Sequence, residues 1–155
     1  MRAFVALAGT LAALAATPVF SAEPVVDCLI LGDHFAQNLG AHMACDIQAK
    51  KNRTPSQALS KPQGPVLTPL TVVGFASLDN SARGLSELRA NLWGRVIWVA
   101  TDNSAPVVQN VAEDHEDTVI VLPARFQRRD SAMPTPEGYR WLATQVEKER
   151  AYNVR

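Results

Sequence analysis

Five short polar segments hold the residue types that could do chemistry: Gly32-Asp33-His34, Asn52-Arg53-Thr54, Ala76-Ser77-Leu78-Asp79, Thr101-Asp102-Asn103, and Asp130 to Met133. His34 is the candidate for a new nucleophile or for a general base that activates water or a nearby serine, with Asp130 as the group to hold it. Ser56, Ser77 and Ser131 lie in or near these segments, and each would need a base, for which His34 is the candidate. The plainer reading of His34 is a hydrogen-bonded polar residue at the end of a strand. His42 and His115 read as solvated. The run Glu113-Asp114-His115-Glu116-Asp117 could draw in a divalent cation, but charge runs at helix ends are usually wet surface. A zinc site on His34 and Asp130 has no HxH or HExxH spacing behind it, so neither metal nor cofactor is expected. Arg125, Arg128 and Arg129, in ARFQRRD, could bind a carboxylate or phosphate; the alternative is a solvated loop. Trp93, Trp98 and Trp141 could line a sugar or acyl groove, although Trp98 within RVIWVA reads as core.

Those segments are useful only if the elements between them bring them to one place. Val25 to Leu31 (VVDCLIL) is a short apolar run ending at Gly32-Asp33 and reads as a buried strand. His34 to Met43 makes a helix with Phe35, Leu39 and Met43 on its apolar side, and Cys45 to Lys50 a weak second strand. Asn52 to Pro69 holds four prolines and reads as loop, with one helical turn near Ser56 to Leu59. Leu70 to Phe75 is a third strand, and Ser81 to Leu92 a helix with Leu85, Leu88 and Leu92 on one face and Gly94 as its stop. Arg95 to Ala100 and Thr118 to Leu122 are the fourth and fifth strands. Between them Ser104 caps a helix running to about His115, with Val107, Val108 and Val111 inward. Thr135-Pro136-Glu137 is an N-cap followed by proline at the first helical position, and the helix it opens turns Tyr139, Leu142, Ala143 and Val146 to one side. Strands alternating with helices predict a three-layer α/β sandwich around a five-stranded parallel sheet. In such a sheet the ligand site lies beyond the carboxyl ends of the strands, where the five polar segments fall.

Three of the segments together resemble the SGNH (GDSL) hydrolases. Val26 to Leu39 (VDCLILGDHFAQNL) is similar to the family's first block, a strand ending in Gly-Asp-Ser-Leu. Val72 to Asp79 (VVGFASLD) aligns with the block that usually ends in Gly-x-Asn-Asp. Asp130 to Tyr139 (DSAMPTPEGY) resembles the last block, Asp-x-x-His-Pro before a helix starting near Gly-Tyr. The resemblance implies an SGNH/flavodoxin-like sheet and ester or acyl hydrolysis by a serine, a histidine and an orienting aspartate. It also implies that the chemistry has been lost. The nucleophile position is His34, the oxyanion glycine position Asn52, the oxyanion asparagine position Leu78, and the histidine position Met133. Asp130, the orienting carboxylate, is retained, as are Asp33 and Asp79. Losing the nucleophile or base of such a triad costs on the order of a million-fold in turnover. The expectation is a pseudo-esterase that binds a small ester, an acylated glycan or an envelope partner around Asp33, His34, Asn52, Asp79 and Asp130. The alternatives are a hydrolase of altered mechanism using His34 and Asp130, and a structural protein whose cleft is closed by Phe35, Leu78 and Met133.

The start of the chain supplies an address. Met1-Arg2, the apolar run Ala3 to Ala16 and Val-Phe-Ser-Ala before Glu23 have the layout of a signal peptide over residues 1–22, leaving one domain over 23–155. A secreted or periplasmic protein with no membrane span after cleavage is expected. Export would place Cys28 and Cys45 in an oxidising space, where two thiols are normally bridged; the alternative is a pair of buried free thiols. At 155 residues and 47% apolar the chain builds a single core. Fifteen basic and fifteen acidic side chains cancel, and aromatics make up only 6%, so no nucleic-acid partner is expected.

Overall fold

A computed structural model of the chain describes residues 27–58, 66–76, 82–129, 131 and 133–152; the expected export signal lies outside them. The described residues form a five-stranded, all-parallel sheet with helices on both faces. Strands β1 (Cys28–Gly32), β2 (Asp46–Ala49), β3 (Val66–Gly74), β4 (Leu92–Ala100) and β5 (Thr118–Val121) lie in the order β2-β1-β3-β4-β5. The helices are α1 (His34–Gly40), α2 (Pro55–Ala58), α3 (Ala82–Ala90), α4 (Ala105–Glu113) and α5 (Pro136–Tyr152). The chain moves outward from β1 to β2, then returns past β1 to build β3, β4 and β5 on its other side. The order of strands therefore reverses between β1 and β3, which is where a doubly wound sheet opens a crevice.

The alternation of side chains along each strand explains why both faces are covered. Cys28 and Ile30 of β1, Leu70 and Val72 of β3, and Ile97 and Val99 of β4 point to the face where Phe35, Ala36 and Leu39 of α1 meet Tyr139, Leu142, Ala143 and Val146 of α5. Leu29, Leu31, Val73, Val96 and Trp98 point to the other face, against Leu85 and Leu88 of α3 and Val108, Val111 and Ala112 of α4. With apolar residues at both parities, these strands are stable only between two helical layers. The four inward positions expected on the last helix, Tyr139, Leu142, Ala143 and Val146, are all buried.

Three boundaries differ from the sequence expectation. The first helix ends at Gly40 rather than Met43. Leu92 is not on a helical face but opens β4, and Gly94 is a residue of that strand rather than a helix stop. β3 begins at Val66, inside the stretch expected to be loop, and Pro69 sits in it at a shift of register between Leu67 and Leu70. The shift and the glycine are one feature. Gly94 has φ 84°, and a Cβ there would run into the carbonyl oxygens of Thr68 and Pro69, the extra residues of the bulged partner. Proline is tolerated at a bulge because its missing N–H is not needed by the ladder.

Two cross-links fix the periphery. Cys28 and Cys45 are bridged, with their Cα atoms 4.8 Å apart, so the start of β1 is tied to the residue before edge strand β2. A disulfide of this kind fits an oxidising compartment. Asp117, ahead of β5, accepts from Nε (2.6 Å) and Nη2 (2.9 Å) of Arg89 and from the indole N–H of Trp98 at 2.9 Å. The third guanidinium nitrogen, Nη1, donates to the Leu92 carbonyl, so one nearly buried arginine joins α3, β4 and β5. Among the described residues no helix is long and apolar enough to cross a membrane.

Candidate functional site

The crevice expected at the switch point would open where β1 and β3 end side by side, with Gly32 paired to Gly74. Gly32 has φ 150°, and a Cβ at this residue would overlap the Gly74 carbonyl oxygen. Only glycine lets the two backbones approach this closely. Asp33 follows and is fully buried. Its Oδ1 accepts from the Phe35 amide (2.9 Å), capping α1, and its Oδ2 accepts from the Ala76 amide (3.0 Å), reaching across to the exit of β3. Its own N–H donates to the Gly74 carbonyl at 3.3 Å. Asp33 thus holds the two walls of the crevice together and is not open to a ligand.

His34 is the first residue of α1 and faces this junction. Its Nδ1 lies 3.8 Å from Asp33 Oδ2, and the side chain is 36% exposed. The separation is too long for a hydrogen bond. Nδ1 itself is shielded from solvent and has no hydrogen-bond partner among the described residues. Phe35, next along, turns fully into the core.

The second loop leaves β2 beside Gly32, whose carbonyl accepts from the Lys50 amide at 3.1 Å. Asn52 takes φ 60° on this turn, a conformation asparagine tolerates better than most residues, and is exposed. Arg53 Nη1 donates to the Gln48 carbonyl at 2.6 Å, and Thr54 and Gln57 cap each other reciprocally to start α2. In the fourth loop the Thr101 amide donates to Ser104 Oγ at 3.0 Å, so the Ser104 side chain closes the loop instead of capping α4.

The fifth loop is a closed hairpin. The Arg128 amide donates to the Met133 carbonyl (2.9 Å) and the Thr135 amide to the Phe126 carbonyl (2.7 Å). Met133 is half-buried and packs against the cluster that contains Phe35. Arg125 lies over the Phe126 ring, 4.7 Å from its centre, and Phe126 packs in turn on Trp141. Tyr139, in the first turn of α5, brings this loop to α1: its hydroxyl accepts from Asn38 Nδ2 at 3.3 Å, and its ring contacts Phe35 and His42. Burial pushes the Tyr139 phenol above its ordinary value; the Asn38 bond and the Arg128 charge act against that, and the Asp33 charge acts with it.

Of the residues singled out from sequence, the structure joins Asp33 and His34 at the crevice, sets Asn52 on the neighbouring turn, and packs Met133 inward. Leu78, Asp79 and Asp130 lie outside the described residues. Among the described residues no histidine is hydrogen-bonded to a serine, threonine or carboxylate, and no three His, Cys, Asp or Glu side chains are placed to hold a metal ion. The Asn38–Tyr139 contact had no signal in the sequence, because its partners are 101 residues apart. Asp33 as a cap did have one: an aspartate directly ahead of an apolar helical pattern. The described residues therefore define a doubly wound parallel α/β domain whose strand order reverses between β1 and β3. No protein-family model matches the sequence, and no curated protein matches it.

Proposed function

We propose that this chain is an exported, SGNH-hydrolase-like domain that binds a small ester, an acylated glycan or an envelope partner at the strand ends without hydrolysing it. The observation that carries this reading is the setting of His34. It occupies the position of the family's nucleophile, its Nδ1 has no hydrogen-bond partner among the described residues, and the adjacent carboxylate is spent on two backbone amides. An imidazole without an orienting acceptor has no fixed tautomer and is a poor general base. Met133 supports the same reading. It stands where the family places its histidine and is packed into the apolar cluster, where it cannot take a proton.

The test is hydrolysis of p-nitrophenyl acetate by the purified protein beside its His34→Ala variant. The expected result is no turnover above buffer for either protein. Turnover by the parent that vanishes in the variant overturns the reading and makes His34 the centre of an altered hydrolytic mechanism.

A further inference from the structure

Among the described residues the ion pairs are distributed unevenly, and the imbalance falls at the carboxyl ends of the strands. Arg83, Arg89, Arg95, Arg140 and Arg150 each reach a carboxylate, Glu87, Asp117, Glu149, Glu137 and Glu147 respectively, at 2.6 to 3.6 Å. The remaining described arginines, Arg53, Arg125, Arg128 and Arg129, have no carboxylate partner among the described residues. All four stand on the loops that follow β2 and β5, at the carboxyl ends of the strands, and Lys50 and Lys51 stand with them. The chain as a whole is neutral, so this excess is a matter of placement and not of composition. Fewer acids share that end. Among the described residues, Asp33 is buried and committed to amides, Asp102 is exposed on the fourth loop, and Glu137 at the start of α5 is paired with Arg140.

We propose that the ligand of the strand-end site is an oxyanion: a small molecule or glycan unit bearing a carboxylate or a phosphate. This names the ligand class for the site proposed above and rests on the reading that ligands bind there. The two cationic loops leave the opposite edge strands β2 and β5, and each is linked to the end of β1. The Lys50 amide bonds the Gly32 carbonyl one residue before Asp33, while the charge of Arg128 is felt by the Tyr139 hydroxyl, which is bonded to Asn38 one turn beyond His34. Arg128 and Arg129 sit on a hairpin already closed by backbone hydrogen bonds, and Arg125 just ahead of it, so the backbone that carries them is already ordered when they engage a ligand. Guanidinium groups present paired N–H donors that match carboxylate and phosphate oxygens two at a time. A neutral fold that pairs its other described arginines and leaves Arg125, Arg128 and Arg129 exposed on one loop departs from its own pattern at the strand ends, where a site is expected.

The experiment titrates isotope-labelled protein with glucose 6-phosphate, glucuronate and glucose while following backbone amide shifts, and repeats the titrations on Arg128→Ala/Arg129→Ala and on Arg83→Ala. Saturable shifts are expected at residues 32–38, 50–54 and 125–139 from one or both anions and not from glucose. Roughly tenfold or greater weakening is expected in the double variant, with Arg83→Ala unchanged and affinity falling as salt is raised. Whichever anion binds more tightly tells phosphate from carboxylate. No saturable shift from either anion overturns the proposal. Glucose binding as well as glucose 6-phosphate, unaffected by the double variant, overturns the charge argument while leaving a binding site at the strand ends. Hydrolysis dependent on His34 overturns the non-catalytic reading alone and leaves anion recognition standing.

Discussion

Asp33 is the residue on which the crevice depends, and its replacement tests whether the site is held as described. Asp33→Ala removes the acceptor for the Phe35 amide, an N-cap contribution of about 1 kcal/mol. It also strips the Ala76 amide of its partner in a part-buried setting, at a cost of about 2 kcal/mol. The two losses occur in one rigid turn and together predict destabilisation of about 3 kcal/mol, which lowers the melting temperature by roughly 10 °C for a domain of this size. Asp33→Asn separates the two contributions. Its single oxygen can still cap α1, but its NH2 group then faces the Ala76 N–H, so about two thirds of the effect, the loss at Ala76, remains. Denaturant unfolding followed by circular dichroism gives the totals. Amide hydrogen exchange gives the location: Phe35 and Ala76 lose protection in the alanine variant, and chiefly Ala76 in the asparagine variant. An alanine variant within about 1 kcal/mol of the parent, or asparagine as damaging as alanine, refutes the assignment of Asp33 as the tie between the two walls.

Asp117→Ala leaves the nearly buried Arg89 guanidinium and the Trp98 indole without their acceptor and is expected to cost about 3–4 kcal/mol by thermal or urea unfolding, whereas Arg83→Ala, on an exposed pair, leaves the melting temperature unchanged. Replacing both Cys28 and Cys45 by serine opens a cross-link between residues 17 apart and is expected to destabilise the fold by about 3 kcal/mol; thiol titration of the untreated protein should find neither cysteine reactive. Because the Tyr139 phenol is raised above 10.0 in the fold, the native state keeps this proton longer than the unfolded chain does. Its contribution to stability is full below pH 10 and is lost as pH rises through the folded-state value, a loss that should be absent from Tyr139→Phe in alkaline unfolding curves.

The fold was largely legible because its strands are apolar at both parities and its helices carry strong end signals. Thr135-Pro136 marks the start of α5, and the four predicted inward residues of that helix are buried. Errors came where two periodicities compete. Leu92 falls in step with Leu85 and Leu88 on a helical wheel, yet it pairs with Val66 in the sheet, since Asn91 closes the helix and the apolar run of β4 claims the next residue. Pro69 argued for a loop because proline cannot serve a regular ladder, but the bulge opposite Gly94 removes that demand. The candidate site was legible in position rather than in contacts. The strand-end segments could be named from topology, whereas the Asn38–Tyr139 bond and the uneven ion pairing depend on residues brought together only by the fold.

Gly32 and Asp33 show how a short motif can be required by the fold alone. The glycine is required by the approach of two backbones and the aspartate by two orphan amides, and neither requirement involves a reacting substrate. The same turn would be needed beneath a serine, a histidine or any other residue at position 34. A Gly-Asp pair at the end of the first strand is therefore evidence for the crevice and its architecture, not for hydrolysis. What the site does depends on the side chains around that turn, among them an imidazole whose Nδ1 has no hydrogen-bond partner among the described residues.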